Sequence, residues 1–195
     1  FGTSSGVVEL NYKNPREDDI TEHQSFYTNK RIDSIVVTPN GLEIYGLKFS
    51  KEAMLFRQTT PESDLFDINA SRWPNKDINA MALDNKTLYI GLFDFLGRHL
   101  VGGGMIVAQF EDFNNKTSIA NPSMQAYAFP KPPYPYSDVH SIVIGNNHDV
   151  WLGTSAGLIR FKPGADGTNG TWKFLASDYT IASGSLVYDS LVYDH

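Results

Sequence analysis

Four polar residues of the chain stand at the same point of a repeated sequence phrase, and their types suit the binding of a cation. Carboxylate, amide and imidazole groups supply the oxygen and nitrogen ligands that divalent cations take in proteins. If the four phrases are equivalent strands around one axis, the four side chains converge there and hold Ca²⁺, another divalent cation or a polar ligand. The alternative is that each residue makes local hydrogen bonds at the start of its own strand. The predicted metal-binding residues are Asp33, Asn79, His140 and Asp189.

A second group of candidates lies in the long segments between the apolar runs. These segments contain arginine, histidine and aromatic residues, which bind sugars and anionic ligands by stacking and by forked hydrogen bonds. Long loops in a compact domain commonly carry function. The alternative is that Trp73 and Phe95 pack under their own loops as a small satellite core. The predicted ligand-binding residues are Arg72, Trp73, Phe95, Arg98, His99, Tyr134 and Tyr136.

The elements that must position these residues are short β-strands, because the chain repeats one phrase. The fullest copy spans residues 139–161 and contains two β-rich runs joined by a polar turn, followed by a third run. Turns of Asn, Gly, Asp and Pro between such runs are typical of hairpins. Further copies begin near residues 32 and 78, and residues 2–10 match residues 153–161 without a gap.

The spacing of the equivalent glycines sets the length of the repeat. Gly2, Gly46 and Gly91 are separated by 44 and 45 residues, and Gly153 follows after 62 because of an extra segment. Four short strands in about 45 residues are typical of one blade of a β-propeller. The chain is therefore predicted to be a single all-β propeller domain over residues 1–195.

The ends of the chain predict how such a propeller closes. Residues 33–37, 79–83, 140–144 and 189–193 are predicted to be equivalent innermost strands. The C-terminal strand would join three N-terminal strands, so that three complete blades and one split blade form the ring. The alternative is a fragment of a larger seven- or eight-bladed propeller. Tyr45, Tyr89 and Trp151 are predicted to be equivalent and largely buried between blades.

The phrase around residues 139–161 resembles the two-component-regulator propeller repeat. Its pattern is Val-x-Ser-Ile, a turn, and then Trp-Leu-Gly-Thr-x-x-Gly-Leu-x-x-Phe. Tyr89 and Tyr45 stand in the partial copies where the repeat usually has tryptophan. The resemblance implies that the chain is similar to the sensor propellers of hybrid histidine kinases and to related secreted propellers. It also implies that Trp151 and Gly153 are core and turn residues.

Composition and charge exclude several partners and favour a location outside the cytoplasm. A net charge of −6 argues against nucleic acid and anionic membranes, and no apolar run is long enough to insert into a bilayer. The absence of cysteine excludes disulfides and thiol catalysis. About two N-glycosylation sequons would arise by chance in this composition, and the chain has more. An extracellular or periplasmic glycoprotein is therefore predicted, with glycan sites at Asn69, Asn85, Asn115 and Asn169.

The sequence shows none of the common catalytic motifs. There is no Gly-x-Ser-x-Gly, no His-Glu-x-x-His and no phosphate-binding loop. The predicted function is non-enzymatic recognition of a glycan, a small ligand or a protein. Two alternatives stay open: a secreted hydrolase or lyase with an axial metal, and a self-assembling structural subunit of an extracellular assembly.

Overall fold

A computed structural model describes the chain as an all-β protein with one short helix in the described part. The described backbone covers residues 2–3, 6–10, 23–26, 31–48, 54–58, 66–67, 77–93, 104–128, 138–154, 157–165 and 170–175. Within these ranges, side chains are described for residues 31–47, 78–92, 104–127, 138–154, 157–165 and 170–173.

The described strands form four separate antiparallel sheets, and each sheet is a meander in chain order. The first sheet contains β1 (Gly2–Thr3), β2 (Gly6–Leu10) and β3 (His23–Phe26). The second contains β4 (Arg31–Val37), β5 (Leu42–Lys48), β6 (Met54–Gln58) and β7 (Phe66–Asp67). The third contains β8 (Asp77–Asp84), β9 (Thr87–Phe93), β10 (Gly104–Gln109) and β11 (Ser123–Ala128). The fourth contains β12 (Val139–Ile144), β13 (Val150–Thr154), β14 (Gly157–Pro163) and β15 (Gly170–Leu175).

The sheets fall into two compact units, residues 1–78 and residues 79–195. The first and second sheets belong to the first unit, and the third and fourth sheets belong to the second unit, apart from the first two residues of β8. Each unit is a pair of sheets in contact: β1 contacts β4 in the first unit, and β9 contacts β12 in the second.

The strand register confirms that the repeated phrase is a repeated structure. In the fourth sheet Gly153 pairs with Leu158 and Thr154 pairs with Gly157, and in the first sheet Gly2 pairs with Val7 and Thr3 with Gly6. These are the pairs that the gap-free sequence match predicts. The equivalent glycines of the second and third sheets pair with methionines, Gly46 with Met54 and Gly91 with Met105.

The predicted innermost strands are confirmed as equivalent in the three complete meanders, and their position at the centre of a ring stays a prediction. Residues 33–37, 79–83 and 140–144 lie in β4, β8 and β12, each of which is the first strand and one edge of its sheet. Residues 189–193 lie outside the described residues.

The core of the second unit lies between the third and fourth sheets. The two sheets contribute opposite faces to this core. The third sheet contributes the face that carries Tyr89, Met105 and Val107. The fourth sheet contributes the opposite kind of face, which carries Leu152 and Phe161. Side chains alternate between the two faces of a strand. We call the face with the Tyr89 position the front of a sheet and the face with the Leu152 position the back. The third and fourth sheets therefore pack front to back rather than front to front.

One prediction about the aromatic position of the repeat is wrong. Alignment on the paired glycines places Tyr45 level with Leu152, one residue away from the position of Tyr89 and Trp151. Because side chains alternate along a strand, Tyr45 is buried on the opposite face of its sheet. Trp151 is partly buried, and it lies on the face of the fourth sheet opposite to the Leu152 face that packs against the third sheet.

A short helix interrupts the connection between β10 and β11. α1 (Lys116–Ala120) begins after Asn115, whose side-chain oxygen accepts hydrogen bonds from the backbone N–H groups of Thr117 and Ser118. Ile119 and Phe113 are buried beside it. Five residues are too few to show a helical period, which is why the sequence pattern did not predict this helix.

Candidate functional site

The predicted metal-binding residues occupy one structural position in the described sheets. Asp33 and His140 lie where the ladder between the first and second strands shifts register, between Ile32 and Ser34 in one sheet and between Val139 and Ser141 in the other. A bulge of this kind redirects the extra residue out of the regular pleat. The sequence phrase places Asn79 at the same point of β8.

Two of the four predicted residues are brought together. The side-chain amide nitrogen of Asn79 donates to the backbone oxygen of Val139 at 2.7 Å and lies 3.3 Å from Nδ1 of His140. An amide N–H donates only to an acceptor, so this second contact is a hydrogen bond when the His140 proton is on Nε2. Asn79 therefore links the start of β8 to the start of β12.

The other two predicted residues are not shown at this place. Asp33 belongs to the other unit, and both its carboxylate oxygens lie 3.1 Å from Nε of Arg31. Asp189 lies outside the described residues. Within the described ranges, no three His, Asp or Glu side chains are grouped so that they could hold a metal ion. Cation binding by the four residues stays a prediction.

A second polar link joins the hairpin turns at the other end of the same two sheets. Nδ1 of His148, in the β12–β13 turn, lies 2.6 Å from a carboxylate oxygen of Asp84 at the end of β8. Both turns contain a residue in the left-handed region: Asn85 has a φ of 53° and His148 has a φ of 64°. Asparagine and histidine tolerate this conformation better than most residues.

A third cluster on the fourth sheet was missed by the sequence analysis. One carboxylate oxygen of buried Asp149 accepts from Nε of Arg160 at 2.8 Å and from the amide of Asn147 at 2.6 Å. The other oxygen, Oδ1, has no hydrogen-bond partner among the described residues. The guanidinium of Arg160 also lies 5.7 Å from the ring centre of Trp151. Arg160 and Trp151 are opposite each other in the ladder, and only the register of β13 and β14 shows this.

Tyr89 has the clearest electrostatic perturbation of the described groups. Burial, with smaller contributions from the nearby Asp84 and Tyr127, raises its pKa to about 12. The phenol therefore stays neutral at physiological pH. It packs edge-on against Phe161, which makes it part of the contact between the third and fourth sheets.

The remaining predicted sites divide between described and undescribed residues. Arg72, Trp73, Phe95, Arg98, His99, Tyr134 and Tyr136 lie outside the described residues, as do Asn69 and Asn169. Asn85 and Asn115 are exposed. Asn85 donates to Asp84 through its amide, and Asn115 caps α1. Glycosylation at any of the four asparagines stays a prediction.

Comparison with known proteins gives structural similarity alone. No family model and no curated protein matches the chain. One similar structure is the extracellular domain of the putative one-component system BT4673 from B. thetaiotaomicron, at 17% identity, a TM-score of 0.48 and 95% coverage of this chain. Another is the extracellular domain of the putative hybrid two-component system BT4673 from the same organism, at 18% identity, a TM-score of 0.47 and 92% coverage. The chain spans about a fifth of the length of either protein.

None of the helical residues described is part of a segment long and apolar enough to cross a bilayer.

Proposed function

We propose that the chain is part of a β-propeller and acts as an extracellular or periplasmic recognition module without catalytic activity. The observation that carries the proposal is the front-to-back packing of two sheets with the same register. Two sheets that pack front to front close a sandwich, whereas front-to-back packing leaves a face for the next sheet and extends the array. The repeated phrase and its four-stranded meanders are the other support.

The number of blades is a separate part of the proposal. Three complete blades and one split blade account for the chain if the C-terminal strand joins the first sheet. A seven- or eight-bladed ring accounts equally for the repeat length. A measured mass and a scattering profile of the chain in solution distinguish a compact ring from an open stack of sheets.

The described polar clusters favour recognition through the long connecting segments. Asn79, the Asp84–His148 pair and the Asp149–Arg160 pair each join strands or turns to one another. Their functional groups are therefore engaged in contacts within the fold. We propose that ligand contacts come instead from Arg72, Trp73, Phe95, Arg98, His99, Tyr134 and Tyr136, on a ligand with sugar or anionic groups.

The binding proposal is tested on a glycan array and by calorimetric titration of the ligands that the array identifies. Trp73→Ala and Arg98→Ala should each weaken binding and leave the melting temperature nearly unchanged. Lys116→Ala removes an exposed cation from α1 and serves as the control with unchanged affinity. If Trp73→Ala and Arg98→Ala lose stability and bind normally, these two residues belong to the core and the proposed site is wrong.

A propeller enzyme with an axial cation is the second candidate, and the contact between Asn79 and His140 favours it. Titration of the chain with Ca²⁺ and with Zn²⁺ tests the cation site directly. Binding that is lost in Asp33→Ala and His140→Ala supports an axial site, since neither side chain makes the Asn79–Val139 link. Equal heats of binding for the parent chain, Asp33→Ala and His140→Ala contradict the axial site.

The proposed location outside the cytoplasm depends on the sequons. Asn85 and Asn115 are the two described acceptors, and both are exposed. An intact mass of native material without added hexose would remove this support.

A further inference from the structure

One face of the fourth sheet is open although the equivalent face of the third sheet is covered. Trp151, Leu158 and Arg160 occupy the positions that Tyr89, Met105 and Val107 occupy in the third sheet. We name the surface of Trp151, Leu158, Arg160 and their same-face neighbours the Trp151 face. Met105 is 0% exposed, whereas Leu158 is 41% exposed.

The covered face shows what kind of element fits. In the second unit, the first strand of the fourth sheet, β12, lies against β9 of the third sheet. A Cβ atom added to Gly91 would lie 2.4 Å from a methyl group of Val139, so the two strands approach closely. Ile142 and Ile144 of β12 also pack into this core, while Val143 between them is 62% exposed. An element that fits such a face is thus a strand in which every second residue is apolar and points toward the face.

We propose that the C-terminal segment of residues 189–194 binds the Trp151 face as the first strand of a further sheet. This proposal rests on the propeller repeat. The sequence Asp189-Ser190-Leu191-Val192-Tyr193 aligns with residues 140–144 and places Leu191 and Tyr193 at the positions of Ile142 and Ile144. Val192 takes the position of Val143 and points away from the face.

The charges of the C-terminal segment and the length of the chain before it fit this occupant. Lys162 and Lys173 lie on the Trp151 face, because they share the side of the sheet with Arg160 in the ladder. Residues 176–195 contain Asp178, Asp189 and Asp194 and no lysine or arginine. The chain provides 13 residues between β15 and residue 189, and it provides 10 residues between β11 and β12, which make the same kind of connection.

The absence of cysteine from the chain makes single-cysteine labelling the direct test. Leu158→Cys reports on the Trp151 face, and Val37→Cys, at a position 59% exposed on β4, is the open reference. Alkylation of Leu158→Cys in the full chain should be about tenfold slower than that of Val37→Cys, because a covered thiol reacts only when the strand opens.

Substitutions in the segment then identify the occupant and its register. Leu191→Asp should bring the labelling rate of Leu158→Cys close to that of Val37→Cys. Val192→Asp adds the same charge to the same segment on the opposite side, and it should leave the labelling slow. Hydrogen exchange of the unsubstituted chain should also show slow amides in residues 190–193.

Each contrary result overturns a stated part of the proposal. Fast labelling of Leu158→Cys in the otherwise unchanged chain means that the Trp151 face is open in solution. Slow labelling that Leu191→Asp does not change means that another element covers the face, and a rate that depends on protein concentration identifies a second copy. Equal effects of Leu191→Asp and Val192→Asp contradict the proposed register. None of these results affects the loop-based ligand site, so failure here and failure of the binding function are distinguishable.

Discussion

The third and fourth sheets have the same strand order and the same register, yet they differ in which faces are buried. Tyr89, Met105 and Val107 are buried on the third sheet. The fourth sheet has Trp151, Leu158 and Arg160 at these positions, none of them fully buried. One of these three residues, Arg160, is charged, whereas the three buried residues of the third sheet are uncharged. Register is therefore a property of one repeat, whereas burial is a property of two neighbouring repeats.

The polar residues of the two sheets show the same contrast. Asp84 of the third sheet meets His148 across the gap between the sheets. Asp149 of the fourth sheet pairs with Arg160 of its own sheet instead. The Asp84 pair thus joins two sheets, whereas the Asp149 pair joins two strands of one sheet.

The largest expected effect comes from opening the core between the two sheets. Phe161 is fully buried and contacts the rings of Tyr89, Tyr127 and Trp172. Phe161→Ala should lower the free energy of unfolding by about 3–5 kcal/mol through cavity formation. Val37→Ala is the control and should change it by less than about 0.5 kcal/mol, because that side chain is mostly exposed. Equal shifts of the urea midpoints would contradict the burial of Phe161 in this core.

A smaller effect is expected from adding one methyl group at the repeated glycine. Gly91→Ala places a Cβ atom 2.4 Å from Cγ1 and 2.7 Å from Cβ of Val139 on the neighbouring sheet, which should destabilise by about 1–3 kcal/mol. Gly153→Ala meets only the hydroxyl of Ser141 at 2.5 Å, which rotates away, and should cost less.

The double variant Gly91→Ala/Val139→Ala sharpens this test. Removing the Val139 methyl groups should make the alanine at residue 91 less costly than it is in the parent chain. If thermal denaturation shows that the two changes simply add, the close approach of β9 and β12 does not exist in solution.

Alkaline pH should destabilise the third sheet through Tyr89. Its pKa is raised to about 12, above the ordinary value of 10.0. The folded state thus binds the phenolic proton more tightly than the unfolded state does. The resulting stability is fully present below pH 10 and is lost progressively as the pH rises from about 10 to about 12. Between pH 10 and 12 the melting temperature of Tyr89→Phe should fall less with pH than that of the parent chain. An equal fall in both proteins would exclude Tyr89 as the cause.

The smallest expected effect belongs to the Asp84–His148 pair. The His148 side chain is 66% exposed, so water screens the interaction. Asp84→Asn should lower the free energy of unfolding by less than about 1 kcal/mol. Lys86→Gln, in the same turn, is the comparison for a general effect of changing charge there. A loss several times larger for Asp84→Asn would mean that the link between the two turns holds the sheets together.

Much of the local structure was predictable from the sequence. The strand pairs around Gly2 and Gly153 follow from a gap-free match of nine residues, because the same local pattern forms the same hairpin. The position of Asn79 and His140 at equivalent strand starts was predicted in the same way. Their approach to hydrogen-bond distance did not follow from the sequence alone, because it requires two sheets to lie side by side.

Other features were not predictable, for separate physical reasons. The error at Tyr45 was a shift of one residue, which moves a side chain to the other face of a sheet. The pair of Asp149 and Arg160 is 11 residues apart in sequence, and it depends on the register of a hairpin. Neither the residue types nor their spacing predicts such a pair.

The sequence by itself determined where the strands and turns lie and how often the unit recurs, because alternation of apolar residues and turn chemistry act over a few residues. Only the tertiary structure decided which aromatic residue is buried and which glycine is crowded. Tyr89 and Trp151 have the same place in the repeat, as do Gly91 and Gly153. Their environments differ because burial requires a second surface, and that surface comes from another repeat.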